Sequence, residues 1–295
     1  MDEFPSPRIL DVDGPLAVYE WPGPPESTFV LVHGLGGSSI NWMRVAGSLS
    51  GLGRVLAIDL PGFGRSPLAG RGTGLMALRR SLSGLLATLD APALVCGNSM
   101  GGGVAMLQAA VEPSSVGGLV LTGSIFPWAG VRPPHPAVMS AFAVYRTPWV
   151  GEALVGLRLR QVPAERTVRL GFALCAARPG DIPVEVVEAH AALVRERADD
   201  RESARVFVEA ARSIMRLGRR PDVAARILDA VRCPVLVMHG GRDRLVPVAF
   251  ARAALQTHPV WRGRIFPDLG HIPQLEAPDR WLSEVADWKA GLGSA

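Results

Sequence analysis

Short apolar runs recur along the chain at Thr28–Val32, Val55–Ile58, Ala93–Cys96, Leu119–Thr122 and Pro234–Met238. Each has strand length and lacks polar alternation, which predicts strands covered on both faces, as in a parallel sheet. Between them, Asn41–Leu49, Leu75–Leu89, Ser99–Ala110 and Val248–Gln256 carry helical spacing. Gly and Pro clusters at His33–Gly37, Pro61–Gly64 and Gly240–Gly241 mark the joins. Strand and helix in alternation predict an α/β fold with a mostly parallel, doubly wound sheet. Ile9–Val12 and Leu16–Glu20, parted by Asp13-Gly14-Pro15, predict an antiparallel hairpin at its edge.

One region breaks the rhythm. From Ile125 to Ala230 no strand pattern stands out, while helical patterns recur at Ala137–Tyr145, Glu165–Ala176, Val184–Arg195 and Glu202–Leu217. Nine prolines from Pro127 to Pro221 cut it into short pieces. The expected organisation is a core of residues 1–124 and 231–295 with a helical cap inserted at 125–230.

Composition narrows the function. The chain has 295 residues and is 48% hydrophobic, enough for a large core. All but one of its 31 basic residues are arginine, Lys289 being the exception, and the formal net charge is +4. The arginines are scattered among acids instead of gathered into a stripe, so no nucleic-acid partner is expected. Cys96, Cys175 and Cys233 form neither a CxxC pair nor a disulfide framework. The acidic N-terminus is unlike a secretory leader, and the longest uncharged stretch, Ala91–Val111, is interrupted by Gly, Asn, Ser and Gln. A cytoplasmic protein with no membrane partner is the resulting expectation. The six histidines show no metal-ligand spacing, so neither metal nor cofactor is expected.

The candidate chemistry lies in three loops. Gly97-Asn98-Ser99-Met100-Gly101 fits G-x-S-x-G between a strand and a helix, the context of a nucleophile elbow. His33-Gly34-Leu35-Gly36-Gly37 follows the Thr28–Val32 strand and is placed to give one oxyanion donor, the Leu35 N–H. The Met100 N–H gives the other. Asp243 follows the Pro234–Met238 strand, and His271 follows a strand expected at Arg264–Phe266. The order Ser99, Asp243, His271 is that of nucleophile, acid and base on such a sheet.

Together these residues resemble the α/β-hydrolase fold family over about residues 8–290. Asp59-Leu60-Pro61-Gly62-Phe63-Gly64-Arg65-Ser66 resembles that family's turn after its fourth strand. The position where some relatives carry the triad acid holds Ser124 here, which leaves Asp243 for that role. Ser99 argues against the dehalogenases and epoxide hydrolases of the family, whose elbow carries Asp. The elbow also resembles that of C–C bond hydrolases acting on ring-opened dienoates, which use a cap arginine for a substrate carboxylate. Arg146, Arg158, Arg160 and Arg169 are candidates for that role.

The resemblance implies a serine hydrolase acting on a small-molecule substrate, foremost a small-to-medium apolar carboxylic ester. C–C hydrolysis and a non-hydrolytic cyclase or ligand-binding role are the alternatives. Gly34, Trp42, Asn98, Phe126, Trp128, Phe142 and Ile272 are the expected pocket residues, with Met139 and Tyr145 at helical spacing around Phe142.

Overall fold

The computed structural model describes residues 4–125, 136–147 and 149–292. The strands are β1 (Arg8–Asp11), β2 (Pro15–Trp21), β3 (Thr28–Val32), β4 (Arg54–Ile58), β5 (Ala93–Asn98), β6 (Val116–Thr122), β7 (Val235–Gly240) and β8 (Arg262–Phe266). They form one sheet in the order β1-β2-β4-β3-β5-β6-β7-β8. The β1–β2 and β2–β4 pairs are antiparallel, and every pair from β4 to β8 is parallel. The helices are α1 (Ala46–Leu49), α2 (Leu75–Leu86), α3 (Met100–Val111), α4 (Pro136–Arg146), α5 (Val150–Gln161), α6 (Ala164–Cys175), α7 (Val184–Glu196), α8 (Ser203–Gly218), α9 (Pro221–Ala230), α10 (Val248–Thr257), α11 (Pro273–Glu276) and α12 (Pro278–Leu292).

Alternation along each strand divides the core into two layers. Val30 and Val32 of β3 join Leu56, Val95, Leu119 and Val237 beneath α2, α3 and α10, whereas Phe29 and Leu31 join Val55, Leu94, Val120 and Leu236 on the opposite face. There Trp42, Leu49, Trp281 and Val285 complete the packing. The Trp281 indole N–H donates to Thr122 Oγ1 at 2.9 Å, which satisfies the polar end of a fully buried ring.

Helices α5, α9, α11 and α12 were not expected from the sequence pattern. Helix α9, counted there with the insertion, packs instead on the core layer, with Leu228 and the following Val231 in the α3-side cluster.

A buried carboxylate organises the loop end of the sheet. Asp59, at the end of β4, accepts from Ser39 N at 2.6 Å, Arg65 N at 2.7 Å and the Tyr19 hydroxyl at 3.1 Å. Burial, reinforced by the Asp59 charge, pushes the Tyr19 hydroxyl up to about 12. Next to it, His33 accepts from Leu60 N at 3.0 Å through Nε2, which leaves Nδ1–H to donate to Gly34 O at 2.7 Å. Burial lowers the His33 pKa and holds this neutral tautomer. The 33–39 loop is thus fixed from both ends by the 59–66 turn.

The turn itself requires glycine. Gly64 has φ +53°, and a Cβ there would lie 2.0 Å from Asp59 Cγ. Gly70 has φ +76° with nothing within 4 Å of its Cβ position. Gly70→Ala should therefore cost about 1 kcal/mol from backbone strain alone. Gly64→Ala should cost more than about 3 kcal/mol, because it displaces a buried carboxylate as well. Urea unfolding of both variants measures the difference, and equal costs would refute the role given to Asp59.

Candidate active site

Ser99 sits in the one-residue turn between β5 and α3 with φ 54° and ψ −116°, a sparsely populated conformation for a side chain-bearing residue. Close packing makes the turn possible. A Cβ on Gly97 would meet Gly101 O at 2.5 Å, and one on Gly101 would meet Val32 O at 2.2 Å. Ser99 N donates to Thr122 O at 3.0 Å, and its carbonyl accepts from Ile125 N at 3.2 Å, tying the turn to β6. The 33–37 loop passes directly beside it, with the Gly34 Cβ position 3.0 Å from Ser99 Cβ. Leu35 N–H makes no hydrogen bond among the described residues, and Met100 N–H opens a helix and has no partner within it.

Asp243 and His271 meet in the interior. His271 Nδ1 donates to Asp243 Oδ2 at 2.7 Å, with the histidine 4% exposed and the carboxylate fully buried. Asp243 Oδ1 accepts from Leu245 N at 2.8 Å and Val246 N at 2.9 Å. A second histidine completes the set. His239 Nε2 lies 3.2 Å from the same Oδ2 and 2.9 Å from Val246 O. Burial alone would raise the Asp243 carboxyl, but the charge of His271 and hydrogen bonds from both histidines hold it well below the usual carboxylate range.

The His271 loop is held from three sides. Asn98 Nδ2 donates to Thr122 O at 2.9 Å and His271 O at 3.2 Å, linking it to the Ser99 turn. His271 N donates to Cys175 O at 2.7 Å, at the end of α6. Glu276 accepts from Gly270 N at 2.9 Å and from Ala177 N at 2.7 Å. The His271 loop is therefore bonded to α6 and the residues after it as well as to the sheet.

Several expected pocket residues lie elsewhere. Trp42 is fully buried on the far face of the sheet, 5.8 Å from the Trp281 ring, because its turn packs under β3 and β4. Ile272 packs against Phe172, Val186 and Val187 in the joint between cap and core. Asn98 spends its amide on backbone carbonyls. Phe126 and Trp128 fall outside the described residues. Phe142 stacks edge-on with Tyr145 at 6.0 Å, and Tyr145 does so with Phe207 at 5.5 Å. Phe207 in turn reaches within 3.0 Å of the Gly36 Cβ position. This aromatic row approaches the 33–37 loop from the cap, and Phe207 was missed because its helix reads only as an amphipathic segment. His239 was missed too; its place four residues before Asp243, at the end of a strand, was the available signal.

The candidate arginines of the cap, Arg146, Arg158, Arg160 and Arg169, are exposed. Arg197 is instead engaged on Gly62 O and Gly64 O, and Arg212 on Glu152 and Tyr145 O. Of the described cavities, one beside Ile125 between α3, α8 and α9 is apolar and about 20 Å³. That is room for a single water and not for an acyl chain. A larger one of about 310 Å³ opens at the other end of the sheet order, between Leu10, Arg54 and Leu89. Among the described residues no group of three His, Cys, Asp or Glu side chains is placed to hold a metal ion. No described helix is long and apolar enough to cross a membrane.

The chain is 30% identical to the dihydrolipoyllysine-residue acetyltransferase component of the acetoin cleaving system of Pseudomonas putida, over 94% of this chain and 67% of that one. It thus spans about two thirds of that relative's length. It is 28% identical to 2-hydroxy-6-oxononadienedioate/2-hydroxy-6-oxononatrienedioate hydrolase of Cupriavidus pinatubonensis, over 88% of this chain and 86% of the relative. Among solved structures, a thermophilic esterase from Thermogutta terrifontis superposes with a TM-score of 0.73 at 22% identity, covering 99% of both chains. That likeness is one of fold. The model of the alpha/beta hydrolase family matches residues 29–285, and the chain belongs to that family.

Proposed function

We propose that the chain is a serine hydrolase of small-to-medium, mainly apolar carboxylic esters. The observation that carries this reading is the buried Asp243–His271 pair, on the same loop end of the sheet as Ser99 in its strained turn. In the proposed reaction His271 takes the Ser99 hydroxyl proton through Nε2 while Oγ adds to the ester carbonyl. The Leu35 and Met100 N–H groups hold the oxyanion. Collapse of the tetrahedral intermediate breaks the C–O bond, and His271 returns its proton to the departing alcohol. Water then adds to the acyl-enzyme with His271 again as base, which releases the acid and regenerates Ser99.

Asp243 has two tasks in this scheme. It fixes the His271 tautomer through Nδ1–H and stabilises the imidazolium when it forms. The aromatic row Phe142–Tyr145–Phe207 supplies apolar surface on the approach to the oxyanion loop and supports an apolar substrate. The Cupriavidus relative supports a second reading, C–C bond hydrolysis of a dienoate. The exposure of the candidate cap arginines supports the ester reading over it.

Three outcomes are expected. A fluorophosphonate probe should label Ser99, and Ser99→Ala should lower turnover of p-nitrophenyl butyrate by at least about 10⁴-fold with unchanged unfolding. Absence of labelling in folded protein would favour a binding or non-hydrolytic role. Asp243→Asn should lower kcat by about 10⁴-fold. Because the Asp243 carboxyl is depressed in the folded state, its ionisation stabilises the fold above about pH 4, and that stabilisation is lost as pH falls further. The stability gap between wild type and Asp243→Asn should therefore narrow below about pH 4, as read by urea unfolding across pH. Thirdly, the specificity constant for a butyrate ester should exceed that for a ring-opened dienoate, and the reverse order would transfer the assignment to C–C hydrolysis.

A further inference from the structure

The cap bears an apolar face that no described residue covers. Trp149, Val150, Leu154 and Leu157 are 85%, 45%, 49% and 50% exposed. Positions 150, 154 and 157 share one side of α5, with Trp149 at its N-terminal end. The opposite side faces α8, where Glu152 pairs with Arg212 and Gly156 approaches Ala204. A helix apolar on both sides is ordinarily buried on both. Here one side stands in solvent, and Trp149 holds a positive φ of 66°, disfavoured for a bulky residue, while presenting its indole outward.

The charges that α5 and the described part of α4 leave unpaired are all positive. Arg158 and Arg160 lie on α5 itself and Arg146 ends the adjoining α4. All three are exposed, and none forms an ion pair among the described residues. The only acid of α5, Glu152, is held by Arg212. A second copy docked face to face would set these arginines against their own equivalents, with no free carboxylate on α4 or α5 to meet them. An anionic surface meets them with complementary charge.

We propose that this face docks the protein on an anionic lipid surface. Trp149, Leu154 and Leu157 enter the boundary between headgroups and acyl chains, and Arg146, Arg158 and Arg160 meet the headgroup charge. The surface is peripheral, needs no spanning helix, and stands whether or not Ser99 carries the reaction assigned to it.

The test is cosedimentation of the full chain with phosphatidylcholine vesicles, with and without phosphatidylglycerol. The wild type should bind the phosphatidylglycerol vesicles and be released by added salt. A W149A/L154E/L157E variant should bind at least about tenfold more weakly with an unchanged unfolding midpoint. These side chains are outside the core, so folding is expected to survive. No binding, equal binding by the variant, or equal binding to neutral vesicles would overturn the proposal. A dimer that the same substitutions dissociate, seen by analytical ultracentrifugation, would overturn it in favour of a second copy.

Discussion

A carboxylate buried away from water is tolerated only when its lone pairs are met by donors, and Asp243 imposes that condition on everything around it. Two donors come from its own turn, the N–H groups of Leu245 and Val246. The other two are imidazoles, His271 from the loop after β8 and His239 from the end of β7. The parallel sheet brings these groups to one edge, because successive parallel strands deliver their C-terminal loops to the same end. Asp59 meets the same condition one end-loop cluster away, with donors from Ser39, Arg65 and Tyr19. One carboxylate fixes the loop that carries His271, and the other fixes the loop that runs beside Ser99.

His239 belongs to this account although its ring is nowhere near the surface. Its Nε2 is shared between Val246 O and Asp243 Oδ2, while its buried Nδ1 has no hydrogen-bond partner. An unsatisfied buried nitrogen carries a cost. The compensation visible in the structure is electrostatic: a second donor on Oδ2 favours the ionised carboxyl. Removing it would leave Oδ2 with His271 as its one side-chain partner.

The sheet was legible in the sequence because its central strands are apolar runs and its joins carry glycine and proline. Thr28–Val32 was read with its observed limits, and Ala93–Cys96 fell two residues short of the end of β5. Arg262–Phe266 is mostly exposed at the sheet edge and carried only a weak signal. The expected site residues near Ser99 followed from local motif chemistry, which depends on neighbours in sequence. Trp42 lies on the far face because proximity to a motif does not say on which face of the sheet a side chain lands, and Ile272 packs against helices α6 and α7 that are distant in sequence. Helix α5 escaped notice because both of its sides carry apolar residues, which erases the periodicity that marks an amphipathic helix.

The helices between β6 and β7 also hold the loops at this end of the sheet. His271 N is bonded to Cys175 O, and Glu276 bridges Gly270 N and Ala177 N, so the segment after α6 helps to set the backbone of the His271 loop. Burial raises the Glu276 carboxyl and the Asp243 charge adds to that, against the backbone N–H groups it accepts. At the other side of the cap, Arg65 reaches Glu196 on α7, and Arg197 holds the Gly62 and Gly64 carbonyls of the turn built on Asp59. Both carboxylate-centred clusters are therefore bonded to the cap through backbone groups. A shift of α6 or α7 would therefore move the backbone around His271 and the turn that holds the 33–37 loop, so these helices share in setting the positions of both.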